Sequence, residues 1–431
     1  MDNEKRAVEV LLIGAGTRGT YIYGELTKRE DIKIKIVGVA EPIEDRREKM
    51  KKEHGIPSEY CFKSGEEALK HKRFCDAVIN ITPDRVHHKI AVAALEKGYH
   101  LLLEKPMATS AKDCVDILEA QRKSKKVLMV AHVLRYSPFF QKMKKIVDSK
   151  ELGKMLSLDI LEEIGYWHFA HSYVRGNWRK KKEAGPIILT KSSHDMDLIS
   201  WFVNGEIKSV RSSGSLKYFR KGNSQKGSTV KCIGKCKVKK ACPYNAEKFY
   251  LNTKDPDEVV WPTTAISPVD KSIAARKKVL KEGPYGTCVW KCDNDVCDNQ
   301  EVIIRFKKNI IARFTLTAFG SEPTRKVRIY LEKGELHGDL SKGSIRIVRY
   351  SGVRGNDEIN GIELPIKDHH GGGDELLLKA FVKTVKEKNK EANLTTAQNS
   401  IRSHLLSFAA EDSRMQGKPI NFQTYKKKLG L

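Results

Sequence analysis

The sequence predicts an α/β chain in two parts. The first is a parallel sheet wound with helices, the second an α+β part built on a large, mostly antiparallel open sheet. Three observations carry this. Up to residue 131, short and nearly continuous apolar runs alternate with helical patterns, the grammar of a parallel sheet covered on both faces. The first run, Val8 to Ile13, passes straight into Gly14-Ala15-Gly16-Thr17-Arg18-Gly19. After Ala131 the runs alternate polar and apolar, as half-buried strands do, and helices are fewer.

Taken in order, a strand, a GxGxxG turn and a helix containing Tyr21, Ile22 and Leu26 predict a dinucleotide-binding loop. Gly14 permits the tight turn, Gly16 lets backbone approach a pyrophosphate, and Gly19 packs helix on strand. The helix N-terminus, with Thr17 and Arg18, favours the phosphates. The second strand, Ile34 to Ala40, ends in Glu41, placed to accept from a ribose hydroxyl and to repel a 2′-phosphate. This favours NAD; Arg18, Arg46 and Arg47 keep NADP open, or belong to a helix face. Asp76 to Ile81 is a third strand, followed by Thr82-Pro83-Asp84 and His87. His100 to Leu103 is a fourth, ending in Glu104-Lys105-Pro106, and Val127 to Ala131 a fifth. Ligands bind open parallel sheets at the carboxyl ends of the strands. Gly14, Glu41, Thr82 and Lys105 are therefore expected on one edge. Residues 1–131 are expected to form this Rossmann, dinucleotide-binding domain. Residues 132–431 are expected to form the substrate domain, with a cysteine-rich insertion at 231–297 and C-terminal helices over 374–416. Strands are expected at Met155–Glu162, Val302–Phe306, Ile311–Phe319, Val327–Glu332 and Ser344–Tyr350, and helices at Glu375–Lys388, capped by Asp374, and from Thr395 or Thr396 to Ser413.

The 431 residues are enough for two or three domains of about 150 each. No stretch approaches the roughly 18–20 apolar residues of a membrane span, and no signal pattern opens the chain. A cytoplasmic protein with no membrane partner is expected. The formal net charge of +26 raises nucleic-acid binding. The lysines are scattered rather than blocked and no nucleic-acid motif accompanies them, so no nucleic-acid partner is expected. The positive field instead favours anionic ligands such as a dinucleotide.

Glu104-Lys105-Pro106, the Gly14–Gly19 loop and Thr82-Pro83…His87 together resemble the glucose-fructose oxidoreductase / inositol dehydrogenase / rhizopine catabolism family, Gfo/Idh/MocA. The block from Gly185 through His194-Asp195-Met196-Asp197 to Trp201 and Gly205 extends the resemblance over essentially the whole chain. The resemblance implies NAD(P)-dependent oxidation or reduction of a sugar or polyol hydroxyl. It assigns catalysis to Lys105 and His194, and it puts Gly14, Gly16, Thr17, Arg18, Gly19, Glu41, Arg46, Thr82, Pro83, His87, Glu104 and Lys105 against the cofactor. Related readings are an enzyme that recycles NAD through a transient keto sugar to eliminate, hydrolyse or epimerise, and an NAD-binding regulator without turnover. The chemistry agrees: oxidising an alcohol needs a hydride acceptor and a base, and a desolvated lysine beside a charged nicotinamide should have a lowered pKa. The sequence departs from the family at Thr190, where an aspartate four residues before the histidine is usual. Lys191, Asp195 or Asp197 is left to balance or orient His194, and Asp197 equally suits a helix start.

Three further features complete the reading. Tyr173, Arg175, Asn177 and Trp178 either line a sugar pocket, with Lys191 and Asp195, or form an ordered loop. Cys232, Cys236 and Cys242, with Cys292 or Cys288 as a fourth thiolate, suit a structural zinc or an iron–sulfur cluster; the alternative is free thiols in an irregular insertion. His369 and His370 sit in a glycine-rich turn at the border of the cleft. A large exposed sheet face suggests a homo-oligomer.

Overall fold

The computed structural model describes residues 6–431 apart from 367, 369 and 388. The first sheet contains β1 (Val8–Ile13), β2 (Ile34–Ala40), β3 (Cys61–Phe62), β4 (Ala77–Asn80), β5 (His100–Leu103) and β6 (Leu128–Val130), in the order β3-β2-β1-β4-β5-β6. All its pairings are parallel. The side chains of β1 divide between two cores: Leu11 and Ile13 pack into one, Val10 and Leu12 into the other. A sheet covered on both faces needs apolar residues at most positions, which is why these strands read as nearly continuous runs, broken near their starts by Glu9, Lys35 and His100. The register lines up the carboxyl ends. Ile13 pairs with Ala40 and Asn80, Asn80 with Leu103, and Leu103 with Val130. The residues that follow these strands therefore share one edge.

The second sheet contains β7 (Met155–Glu163), β8 (Ile207–Ser215), β9 (Asn299–Phe306), β10 (Ile311–Thr317), β11 (Thr324–Leu331), β12 (Gly334–Asp339), β13 (Ser344–Arg349), β14 (Glu358–Glu363) and β15 (Ile420–Asn421), in the order β14-β13-β12-β11-β7-β10-β9-β8-β15. Only β7 and β10 pair in parallel. Its inner face lies under the helices Ser193–Val203 and Ala397–Gln416, while the outer side chains are largely exposed, as the alternation along β9 shows. Thr396 caps the long helix, its hydroxyl accepting from Asn399 N at 3.2 Å. The helix before it runs Gly373–Lys386 with Gly372 at the N-cap. Asp374 therefore does not cap it, contrary to expectation, and its carboxylate has other partners. Leu377, Leu378 and Phe381 of that helix pack into the core of the parallel sheet, so the chain returns to its first half near its end.

The segment between β8 and β9 folds on its own small core of Cys232, Ala246, Tyr250, Ile266 and Leu280. Its two ends are stitched together: Cys232 N donates to Gly286 O at 2.7 Å and Cys288 N to Val230 O at 2.8 Å. Among the described residues no helix is long and apolar enough to cross a membrane.

Candidate active site

The glycine loop follows β1 directly. A Cβ on Gly14 (φ +100°) would lie 2.5 Å from Ile81 O, and one on Gly19 would lie 2.2 Å from Gly14 O. Both positions are closed to side chains by backbone. A Cβ on Gly16 would meet nothing within 4 Å. The loop is packed from below and open above, which is the cradle a pyrophosphate requires. Thr17 sits half-buried at the helix start. Glu41 is buried at the end of β2, its Oε2 accepting from Ala15 N at 2.8 Å and its Oε1 from Ile43 N at 3.1 Å. It is thereby locked beside the loop. Arg47 is turned inward onto Glu41 O, and Arg46 stays half-buried on the flank. Thr82 donates its hydroxyl to Asn80 Oδ1 at 2.8 Å. His87 spans the ends of β4 and β5, with Nε2 2.8 Å from Thr82 O and Nδ1 2.7 Å from Pro106 O. Thr82 and Pro106 are thus tied into one rim, and Glu104 N joins it by donating to Asn80 O at 3.0 Å.

Lys105 follows β5 on this rim and reaches across to the second half, where its Nζ donates to Thr190 O at 2.7 Å. Burial pushes its ammonium down to about 8, with Lys191 and Arg18 adding to the effect against Glu104 and Asp84. Thr190, in place of a carboxylate, offers its main-chain oxygen, while its hydroxyl turns back to Pro186 O. His194 is buried on the first turn of helix Ser193–Val203, and its Nδ1 has no partner among the described residues. Burial holds its pKa well below the ordinary value, and Lys105, His370, Arg325 and His132 reinforce this.

Behind Lys105 lies a buried ionic group. Lys191 Nζ is 2.8 Å from Glu162 Oε1, and Arg325 Nε is 2.9 Å from both Glu162 Oε2 and Asp195 Oδ1. Burial raises Asp195 to about 6, against the pull of Arg325. Tyr173 is buried against this group, and Trp178 Nε1 donates to Asp84 Oδ2 at 2.9 Å, closing the two halves together. Arg175 points elsewhere: it donates to Thr287 O at 2.8 Å, Tyr244 O at 2.7 Å and Cys232 Sγ at 3.5 Å. Asn177 is exposed. Those two residues are not gathered with Lys105. Asp197 does not face His194 either, since Arg135 takes both of its oxygens at 2.6 and 2.8 Å.

The structure also assembles residues whose spacing gives no hint of contact. Arg18 donates Nε to Glu104 Oε1 at 2.5 Å and Nη2 to Asp374 Oδ1 at 2.6 Å. Asp374 Oδ2 meets His370 Nδ1 at 2.7 Å, and the His370 ring lies 5.6 Å from that of His194. Arg18, expected against phosphate, is thus engaged by two carboxylates. Arg325 and Glu162, each buried on an inner strand position, are the other additions. His369 lies outside the described residues.

Among the described residues the cysteine segment gathers no three ligand atoms at one point. All nine cysteines are free thiols. Among the described residues, the one set of three ligand atoms within 4.8 Å of one another is His88, Asp113 and Asp116, half-buried with Lys112 on Asp116. The sulfurs of Cys232, Cys236, Cys242 and Cys292 do not converge. Burial pushes the Cys292 thiol up to about 12 and raises those of Cys242 and Cys288, while against burial the hydrogen bonds around Thr229 and Val238 and the charge of Lys291 lower that of Cys236. The described residues thus give no support to the expected zinc or iron–sulfur cluster at these four cysteines.

The oxidoreductase family with an NAD-binding Rossmann fold, GFO/IDH/MocA, matches residues 8–132, and the GFO/IDH/MocA C-terminal domain matches residues 140–234. The chain belongs to this family. It is 31% identical to YteT of Bacillus subtilis (strain 168) over 172 residues, 39% of this chain and 40% of that protein. It is 27% identical to the scyllo-inositol 2-dehydrogenase (NAD(+)) of the same organism over 209 residues, 48% of this chain and 58% of that one. The matched stretches thus span less than two thirds of these relatives. A levoglucosan dehydrogenase solved with NADH and levoglucosan shares the fold at TM-score 0.68 and 16% identity, over 97% of this chain and all of the other.

Proposed function

We propose that the chain transfers hydride between a nicotinamide dinucleotide and a hydroxyl or keto carbon of a sugar, polyol or sugar derivative. The observation that carries this is the placement of Lys105. It stands on the cofactor edge of the parallel sheet, partly desolvated and bonded to Thr190 O, with His194 across the cleft. Gly14, Gly16 and Gly19 would hold the pyrophosphate, Thr17 and the helix start would bind its charge, and Glu41 would take the adenosine ribose. A buried carboxylate there favours NAD over NADP. The bound nicotinamide supplies the hydride acceptor. Lys105 orients the reacting oxygen and stabilises the negative charge that develops on it. His194 is the proton acceptor nearest to it by fold and by chemistry. Tyr173, Trp178, Lys191 and Asp195 shape the substrate side. A second copy covering the outer face of the large sheet is part of the same proposal.

Incubation with NAD and a panel of polyols and sugars should produce NADH with at least one member. If substrate is consumed without NADH accumulating, the recycled-cofactor chemistry holds instead. If nothing in a broad panel turns over, the proposal is wrong. The loop supplies a separate check. Gly16→Val places a side chain in open space, so folding stability should stay within about 0.5 kcal/mol. Dinucleotide affinity should fall at least about 10-fold, because the side chain occupies the pyrophosphate approach. Unchanged affinity, read by fluorescence titration, would remove the loop from the cofactor site.

A further inference from the structure

We propose that His370 and Asp374 form the outlet for the substrate's hydroxyl proton, taking it from His194 and delivering it to solvent. This rests on the reading of the site as an alcohol-oxidising centre. In that reaction the C–H bond breaks with hydride leaving for the nicotinamide, and the O–H bond breaks with its proton leaving for His194. Carbon is oxidised, the nicotinamide is reduced, and one proton must reach water for each turnover.

His194 cannot retain that proton. The residue is 4% exposed, and its ring is near Lys105, Arg325, His132 and His370. A second cation in such surroundings is driven out. Two ways lead from it. Inward, the ring of His132 is 5.8 Å away, fully buried, with neither nitrogen partnered among the described residues. Beyond it, 5.2 Å from His132, lies His404, which is closed: Nε2 accepts from Met107 N at 2.8 Å, so Nδ1 carries the hydrogen given to Ser400 O at 2.7 Å. The carboxylate beside this branch, Asp197, is buried with both oxygens held by Arg135, so it gives no way out to solvent. A proton entering it has nowhere to go.

Outward, the His370 ring is 5.6 Å from that of His194, within reach of one bridging water. Its side chain is 27% exposed, so it touches both the cleft and solvent. Asp374 Oδ2, 2.7 Å from His370 Nδ1, compensates the imidazolium that would form. Burial alone would raise Asp374, yet Arg18 and His370 hold it below the usual carboxylate range, so it stays ionised. Among the described residues Asp368 is a further charged neighbour, its carboxylate accepting from His370 N at 2.7 Å. Arg18 ties Asp374 to Glu104, beside Lys105, so the outlet is anchored to the same rim as the reacting oxygen. The dyad also stands in for the carboxylate that Thr190 lacks.

The test compares wild type with His370→Gln, which keeps a hydrogen bond to Asp374 but cannot carry a proton. Both are mixed with NAD and the best substrate of the panel in lightly buffered pH-indicator solution. In wild type, proton release should keep step with NADH formation. In the variant it should lag within the first turnover, kcat should drop about 10- to 100-fold, NAD affinity should stay within about two-fold, and added imidazole should restore the rate. His370→Asn provides the same comparison if the glutamine variant does not fold. A variant as fast as wild type, or a loss that imidazole does not restore, overturns the outlet alone. A wild type that produces no NADH from any substrate overturns the dehydrogenase reading, and the outlet with it.

Discussion

Lys105→Ala should lower turnover by at least about 10³-fold, the loss expected when a preorganised group facing a developing oxyanion is removed. NAD affinity should change only a few-fold, because the glycine loop and Glu41 remain in place. Lys105→Arg should not rescue, since a planar fork cannot take the position of a point ammonium. With burial placing the ammonium near 8, kcat/KM should be full below that pH and decline above it as the charge is lost. Stability should move the other way. The folded chain binds this proton less tightly than the unfolded one, so the fold is most stable above the unfolded value of 10.5 and loses stability as pH falls through about 8. Lys105→Met should therefore be inactive and yet more stable than wild type at pH 7, by about 1–3 kcal/mol. Denaturant unfolding and a rate assay on the same variant check both halves. A variant that is both active and no more stable would show that Lys105 is an ordinary surface lysine.

What could be read from the sequence follows from how each residue is constrained. β1, β2 and β5 are legible to the residue because strands covered on both faces are mostly apolar, with polar residues confined to their first positions. β8 (Ile207–Ser215) and β12 (Gly334–Asp339) escaped, because one face is exposed and the buried positions include Ser212 and Gly338. β14 (Glu358–Glu363) escaped because it is an edge strand with almost nothing buried. Lys105 was legible through the end of its strand, since parallel register alone carries it to the cofactor edge. The Arg18–Asp374 pair was not: it joins residues 356 apart in the chain, and Asp374 looks locally like a helix cap. Arg175 shows the converse. Its neighbours suggest a pocket, but a guanidinium with five donors goes where buried carbonyls lack partners, and those belong to the cysteine segment. Close spacing of the cysteines did not gather three sulfurs at one point, because Cys232 packs into that segment's small core, Cys288 into the large one, and Cys236 stays half-exposed.

Asp197→Ala should cost about 3–5 kcal/mol, the largest stability loss expected from a single polar substitution here. Arg135 and Asp197 form a two-pronged pair whose side chains are 6% and 2% exposed. Arg135 also donates to Leu394 O at 3.0 Å and lies 5.7 Å from the centre of the Trp201 ring. Truncating Asp197 leaves that guanidinium buried and charged, with one carbonyl to satisfy it. The pair as a whole is another matter, because desolvation offsets most of its attraction. Arg135→Met combined with Asp197→Leu should therefore recover much of the loss. Arg135 lies in the segment that follows β6, and Asp197 is on the helix that carries His194, so the pair fixes that helix to the parallel sheet. The single variant should accordingly lose turnover as well as stability, while Arg135→Met/Asp197→Leu should regain stability ahead of activity. Equal recovery of both would mean that packing alone positions His194; no loss of stability in Asp197→Ala would mean that the pair is open to water.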